Sequence, residues 1–361
     1  MTPDGDIKVQ VAVAPARRRW AIAKRVIILG VTGFGLYVVW PSLADVFRSG
    51  PRLATISPLW LLPIVVVEAL SFMCMWALLK LALSTSEWFP VATAQLAGNA
   101  FSRIVPGGAA AGGAMQFDML NRAGIAPTRA ATSVTAVSLI STATLLGLPI
   151  LSIPVILLSG APVNRNLLTV GSIALAVCAV AIAGGAVLLF ADKPLLGLGA
   201  LFQGARNRLF KKREPVTGLP AKLVDERDLI RRVLGSNWWK ALFYAAGNWL
   251  LDLSALLIAL AAVGARPRAS VVLLAYVVAA FLGMIPITPG GLGFVEAGLL
   301  GTLGLAGIGA EQAVLATLIY RLASYWLPMP TGAVAYALFT HRYGRAKVAR
   351  LNGGGKRGRG G

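Results

Sequence analysis

Pro-Gly-Gly occurs twice in this chain, at Pro106-Gly107-Gly108 and Pro289-Gly290-Gly291, and an offset of 183 residues carries the surroundings of one onto the other. Ala123-Gly124-Ile125 falls on Ala306-Gly307-Ile308, Ala130 on Ala313, Leu139 on Leu322 and Ser141 on Ser324. Both copies sit in apolar sequence. A Gly/Pro break in an apolar helix frees backbone N–H and C=O groups, which a bilayer tolerates only where protein or a water-filled cavity supplies new partners. Matched breaks in the two halves of a chain point to a transporter-type site near the bilayer midplane.

Composition restricts the setting. Of 361 residues, 57% are hydrophobic and 13% charged, with a mean hydropathy of +0.73, which excludes an ordinary soluble domain. Apolar runs near 25–41, 58–80, 130–159, 166–190, 237–263 and 310–339 approach or exceed the ~20 residues that span a bilayer. The first is short, but Trp20 and Trp40 bracket it at about one bilayer thickness, and Trp favours both interfaces. No small-residue cleavage site follows it, so it reads as a retained span rather than a signal peptide. The expected fold class is an all-α integral membrane protein: a multi-pass helical bundle with inverted-topology repeats, about six full spans and two hairpins broken at Pro-Gly-Gly.

The net charge is +20. Of 34 Lys and Arg, 23 lie in three places: the start of the chain through Arg25, the stretch 191–236, and the end from Arg342 onward. Basic residues retain segments in the cytoplasm, so all three are expected inside, both termini included, in the plasma membrane. Parity then makes the segment around the first Pro-Gly-Gly begin and end inside, and that around the second begin and end outside. The expected organisation is a basic tail 1–24, a first membrane repeat 25–160, a second repeat 161–340 carrying the basic loop 191–236, and a second tail 341–361. Arg266 and Arg268 fall outside, against the rule.

Other uses of the charge fit less well. No aromatics interleave with the basic residues of the C-terminal tail, so nucleic-acid binding is not expected. Anionic lipid headgroups are the expected partners of the cytoplasmic basic segments. Cys74 and Cys178 lie within spans and read as small core residues, and a single His, His341, excludes a His-based metal site or triad. No metal, cofactor or catalytic residue is expected.

A helix restarting after each break would point N–H groups and a positive dipole end inward, which suits a phosphate or carboxylate. Pro106, Gly107 and Gly108, with Pro289, Gly290, Gly291 and Gly293, are therefore candidate substrate-binding positions; the glycines alternatively serve close helix packing. Charges within the spans are the second signal, since one costs about 2.5–3.5 kcal/mol at a helix centre and usually pairs or lines a pathway. Arg103 precedes the first break and Arg321 lies mid-span, and both are expected to contact substrate phosphate. Glu68 and Asp252 fall one residue from equivalence under the offset. They are expected to balance the arginines or relay protons. Glu296 either touches substrate or complements the dipole of the restarted helix.

The run Pro289-Gly290-Gly291-Leu292-Gly293-Phe294-Val295-Glu296-Ala297, with Tyr320-Arg321-Leu322 and Tyr325-Trp326-Leu327-Pro328, resembles the second signature of the lysylphosphatidylglycerol synthase transmembrane family. The resemblance covers nearly the whole chain. It implies a multi-pass plasma-membrane protein with a flippase-like domain that moves lipids, or lipid-linked groups, between leaflets. The best-known members add a soluble aminoacyltransferase; here the sequence ends soon after its last span, so synthase activity is not expected. The first signature departs from the family pattern, running Ala109-Ala110-Ala111-Gly112-Gly113-Ala114-Met115.

The expected function is translocation of an anionic or polyprenyl-linked lipid, without enzymatic activity. Two alternatives stand beside it. One is an intramembrane enzyme on a lipid-linked substrate, with Glu68 or Asp252 as base. The other is a non-transporting partner of a cell-envelope enzyme, docked through 191–236, which also reads as a surface helix resting on anionic lipid.

Overall fold

The structure, a computed structural model, describes residues 57–105, 108–158, 191–209, 217–284 and 288–354, with isolated helical positions between 169 and 187. The expected spans 25–41 and most of 166–190 lie outside the described residues, as do Pro106 and Gly107. Among the described residues there is helix and no strand. The helices are α1 (Leu61–Leu83), α2 (Trp88–Ile104), α3 (Gly108–Arg122), α4 (Pro127–Leu158), α5 (Asp192–Leu209), α6 (Leu219–Leu234), α7 (Trp238–Ala262), α8 (Ala269–Gly283), α9 (Phe294–Leu305), α10 (Ala310–Arg321) and α11 (Pro328–Gly354). This is an all-α membrane protein.

Pro58–Leu83, Pro127–Leu148 and Trp238–Ala262 are long and apolar enough to span. They match three of the sequence-predicted spans. Leu62, Val66, Leu70 and Met73 form an exposed apolar stripe along α1, a surface for lipid tails, which Leu59 of the preceding 3₁₀ turn extends. By contrast, α8 and α9 have 15 and 12 residues, about 22 and 18 Å, and neither crosses a 30 Å core upright. They form a broken hairpin, as do α2 and α3.

Lipid tails are as apolar as leucine, so close packing and polar links must hold such a bundle together. Helices α1 and α7 pack along their lengths. Ser71 Oγ donates to Asn248 O at 2.9 Å, and Asn248 Nδ2 returns bonds to Ser71 Oγ at 2.7 Å and Ser71 O at 3.2 Å. Going along α1, Glu68 meets Asp252, Ser71 meets Asn248 and Cys74 meets Gly247. The partner numbers fall as the α1 numbers rise, so the two helices run antiparallel. Gly98 and Gly112 let α2 and α3 touch backbone to backbone; a Cβ on Gly98 would come within 2.8 Å of Gly112 O.

The connection between α3 and α4 recurs between α9 and α10. Gly124 and Gly307 have φ of 92° and 83°, the left-handed conformation that closes a helix C-terminus at low cost for glycine. Ile125 N donates to Leu120 O and Ile308 N to Leu303 O, each at 3.1 Å, and Gly124 N bonds Asn121 O as Gly307 N bonds Gly304 O. All these pairs differ by 183.

Two poles emerge. Ser133 Oγ donates to Ala82 O at 2.9 Å, and Leu78, Leu79, Ala241, Ala245 and Phe339 share a core, so the end of α1 meets the starts of α4 and α7 and the middle of α11. Lys80, Arg122, Arg129, Lys240 and Arg342 are at or near this pole. Gln312 Nε2 donates to Val263 O at 3.3 Å, and Ile64, Leu260, Leu303 and Ile308 share the second core, so the start of α1 meets the ends of α7 and α9 and the start of α10. Arg266, Arg268 and Glu311 lie there.

Two regions carry more detail than their sequence reading. The described residues of the basic stretch 191–236, read as a docking surface or a surface helix on lipid, form two helices packed on each other, α5 on α6. The expected single span 310–339 is interrupted by a π-helical turn, Leu322–Trp326, in which Leu327 N reaches back to Leu322 O at 2.9 Å. Pro328 and Pro330 lack the N–H groups that α-helical bonding would require, and this explains the interruption.

Candidate functional site

Pro328 cannot donate to the carbonyl of Ser324, four residues before it, and Arg103 in the last turn of α2 takes that acceptor through Nη1. Tyr325 OH donates in turn to Arg103 O at 3.1 Å. The two arginines lie against one ring: the guanidinium carbons of Arg321 and Arg103 are 4.3 and 5.1 Å from the Tyr325 centroid. The ring's edge rests on the second break. Gly290 has φ 59°, and a Cβ there would come within 2.5 Å of Tyr325 Cε2.

Arg321 Nε meets Glu296 Oε1 at 2.7 Å, and both residues are 8% exposed. Glu296 Oε2 accepts from Gly293 N at 2.7 Å, capping α9. Gly293 has no side chain to reciprocate, so this is half of a capping box. The N-terminus of α9 therefore carries its own carboxylate. At the first break, Gly108 N bonds Val105 O at 3.1 Å, and Gly108, Ala109 and Ala110 face open space. The two restarted helices are not equivalent: the second is capped from within the protein, and the first turn of α3 borders a cavity.

That cavity, of about 780 Å³, is lined by Arg103, Arg321, Tyr325, Gly108, Gly290 and Gly291 together with Glu68, Asp252, Tyr276 and Tyr320. The Glu68 and Asp252 side chains are in direct contact. Asp252 Oδ2 accepts from Tyr320 OH at 2.8 Å and from Tyr276 OH. Ser71, Gln95, Asn99, Ser102 and Asn248 add polar groups to the lining. Among the described residues, four that line the cavity hold buried polar atoms without a protein partner: Glu68 Oε1, Asn99 Oδ1, Arg321 Nη2 and Ser324 Oγ. A buried donor or acceptor left unpaired costs about 1–3 kcal/mol, so these atoms mark where water or a polar ligand belongs.

Of the sequence-predicted positions, Glu68, Arg103, Gly108, Asp252, Gly290, Gly291 and Arg321 line this one cavity. Glu296 and Gly293 stand behind Arg321. Pro289 opens the 3₁₀ turn Pro289–Gly291. Tyr276, Tyr320 and Tyr325 were not singled out as site residues, because aromatics in apolar runs read as core. Asn99 and Asn248, amides inside helices otherwise suited to a membrane, were the available signal for the polar wall. No cluster of three or more His, Cys, Asp or Glu suited to a metal occurs among the described residues.

A helical membrane bundle with broken hairpins around a charged internal cavity defines a class of membrane protein that keeps polar groups within its span. The sequence profile of the lysylphosphatidylglycerol synthase TM region matches residues 26–332, and the chain belongs to that family. Two curated relatives, both UPF0104 membrane proteins of Methanothermobacter thermautotrophicus, are similar over shorter stretches. One is 38% identical over 93 residues, 26% of this chain and 26% of the relative. The other is 30% identical over 91 residues, 25% of this chain and 27% of the relative. The matched stretches thus span about a quarter of each relative.

Proposed function

We propose that this protein translocates a lipid with an anionic headgroup, phospholipid or polyprenyl-linked, across the plasma membrane, and that Arg103 and Arg321 receive the phosphate. The observation that carries the reading is the pair of guanidiniums against Tyr325, in the cavity that Gly108 and Gly290 also line, with Arg321 Nη2 lacking a partner among the described residues. Among the described residues Arg103 makes no ion pair. A phosphate would give both arginines charge-assisted bonds.

The arrangement of the halves supports this reading. Under the 183-residue offset α1 corresponds to α7, α2 to α8, α3 to α9, and α4 to α10 with α11. Exchanging the halves turns α2 on α11 into α8 on α4, and α1 on α4 into α7 on α10, and all four contacts occur. The antiparallel run of α1 against α7 fits an inverted repeat. The α2–α3 hairpin then enters from the basic pole, expected to be cytoplasmic, and α8–α9 from the other. Glu68 and Asp252 sit where α1 and α7 cross, at the pseudo-two-fold axis. Rocking of one half against the other would expose the cavity to each leaflet in turn, with the acid pair passing a proton as it moves.

The test is translocation of fluorescent phosphatidylglycerol and of a labelled polyprenyl phosphate in proteoliposomes. Wild type is expected to move at least one, and Arg103→Gln and Arg321→Gln to slow it by about tenfold or more, one lost charge-assisted bond each. Equal rates in all three proteins would remove the proposed site.

A further inference from the structure

The α5–α6 hairpin belongs to no part of the cavity. Arg227, buried on α6, clasps it: Nη2 lies 2.6 Å from Asp192 Oδ1 at the start of α5 and 2.8 Å from Asp228 Oδ1. These two carboxylates raise the guanidinium's pKa above its usual range, so the clasp stays charged. Gly199 admits α6 closely; a Cβ there would meet Pro220 Cα at 2.7 Å. Helix α6 contacts α1 and α4 and leads directly into α7, which fixes the hairpin at the basic pole.

One face of α5 is left over. Leu198, Leu201, Phe202 and Ala205 recur at i, i+3, i+4 and i+7, and Leu201 and Phe202 are 66% and 62% exposed. Lys193 and Arg208, both exposed, stand at the two ends of this stripe. On α6 the exposed side is charged, with Lys222 and Asp225. An apolar stripe with cations at its ends is the pattern of a helix lying in a membrane interface. The helix is tied to a bundle whose spans emerge at this pole, so the nearest apolar phase is the same bilayer.

We propose that α5 is an in-plane anchor that seats Leu201 and Phe202 among the acyl chains of the leaflet at the basic pole, and that Lys193 and Arg208 make this seating selective for anionic headgroups. Each cation near an anionic surface contributes about fivefold to partitioning, so the seating follows leaflet charge. Through Arg227 and α6, the state of the leaflet is linked mechanically to α1 and α4, two helices of the translocation bundle.

The test uses the full chain with both cysteines replaced by serine and Phe202→Cys carrying an environment-sensitive fluorophore, in vesicles of phosphatidylcholine with or without phosphatidylglycerol. Doxyl groups on the acyl chains are expected to quench the label several-fold more with phosphatidylglycerol present. Charge reversal by Lys193→Glu with Arg208→Glu should return quenching to the phosphatidylcholine level. Acyl quenching that ignores lipid charge would overturn the selectivity. Quenching by aqueous iodide alone would overturn the anchor. Protection from both quenchers would show a protein on this face, a docked partner or a second copy, and would equally overturn it. Lipid translocation is not part of the readout, so the result stands apart from that of the cavity variants.

Discussion

The guanidinium of Arg103 is bonded to the backbone carbonyl of Ser324, 221 residues away in the sequence. The end of α2 thereby holds the π-helical turn of the other half, and Tyr325 returns a bond to Arg103 O. The acceptor is free because Pro328 has no N–H to give it.

Replacing Pro328 by Ala restores that N–H. The helix from Ala310 onward should then regularise, since proline costs a helix interior about 3 kcal/mol, and Arg103 should lose its acceptor. The expected outcome is a thermal midpoint in detergent equal to or above wild type, with translocation reduced about tenfold. A variant that transports normally would show that the π turn is incidental.

Arg321 and Glu296 are both buried, so removing one leaves the other uncompensated. Arg321→Ala should cost about 3–5 kcal/mol and lower the thermal midpoint clearly. Adding Glu296→Gln to it should recover much of that loss, because no buried charge remains unpaired. A double mutant as unstable as the sum of the two single mutants would mean that the pair is not coupled.

Gly290→Ala forces a side chain into φ 59° and against the Tyr325 ring. Strain of about 1–2 kcal/mol is expected, together with displacement of the Tyr325 ring from the two arginines. Gly307→Ala, also at positive φ but with nothing within 4 Å of a new Cβ, meets the strain alone. Both variants should lose stability, whereas translocation measured in the folded fraction should fall only in Gly290→Ala.

The contact between Glu68 and Asp252 carries a pH prediction. If the pair passes a proton during movement, translocation should vary with pH, and Glu68→Gln should flatten that dependence while the protein still folds. An unchanged pH profile in Glu68→Gln would leave the pair a structural one.

Much of this was readable before any coordinates. Three spans follow from apolar runs of bilayer length. The duplication at an offset of 183 locates both Gly-containing turns and puts Glu68 and Asp252 at nearly equivalent positions; that the two acids meet each other was not readable. What stayed hidden has physical causes. The π turn hid because 310–339 is apolar throughout, although Pro328 and Pro330 were there to be read as missing donors. The tyrosines on Asp252 and against the arginines hid because a ring in an apolar run looks the same whether it fills a core or presents a hydroxyl to a carboxylate. The stretch 191–236 was readable as a surface helix, but its folding into two packed helices was not, because the contact of Arg227 with Asp192 joins residues 35 positions apart. Glu296 left two roles open, and its capping of α9 needed the distance from Gly293 to appear.

The central claim is that two similar half-structures enter the bilayer from opposite sides and meet at one cavity. Its most direct test is labelling with a membrane-impermeant thiol reagent of Pro127→Cys, at the start of α4, and Gly309→Cys, just before α10, each in a chain with the two native cysteines replaced by serine. In intact cells the account predicts reaction at position 309 and protection at position 127 until the membrane is opened. Reaction of both positions from the same side would contradict it.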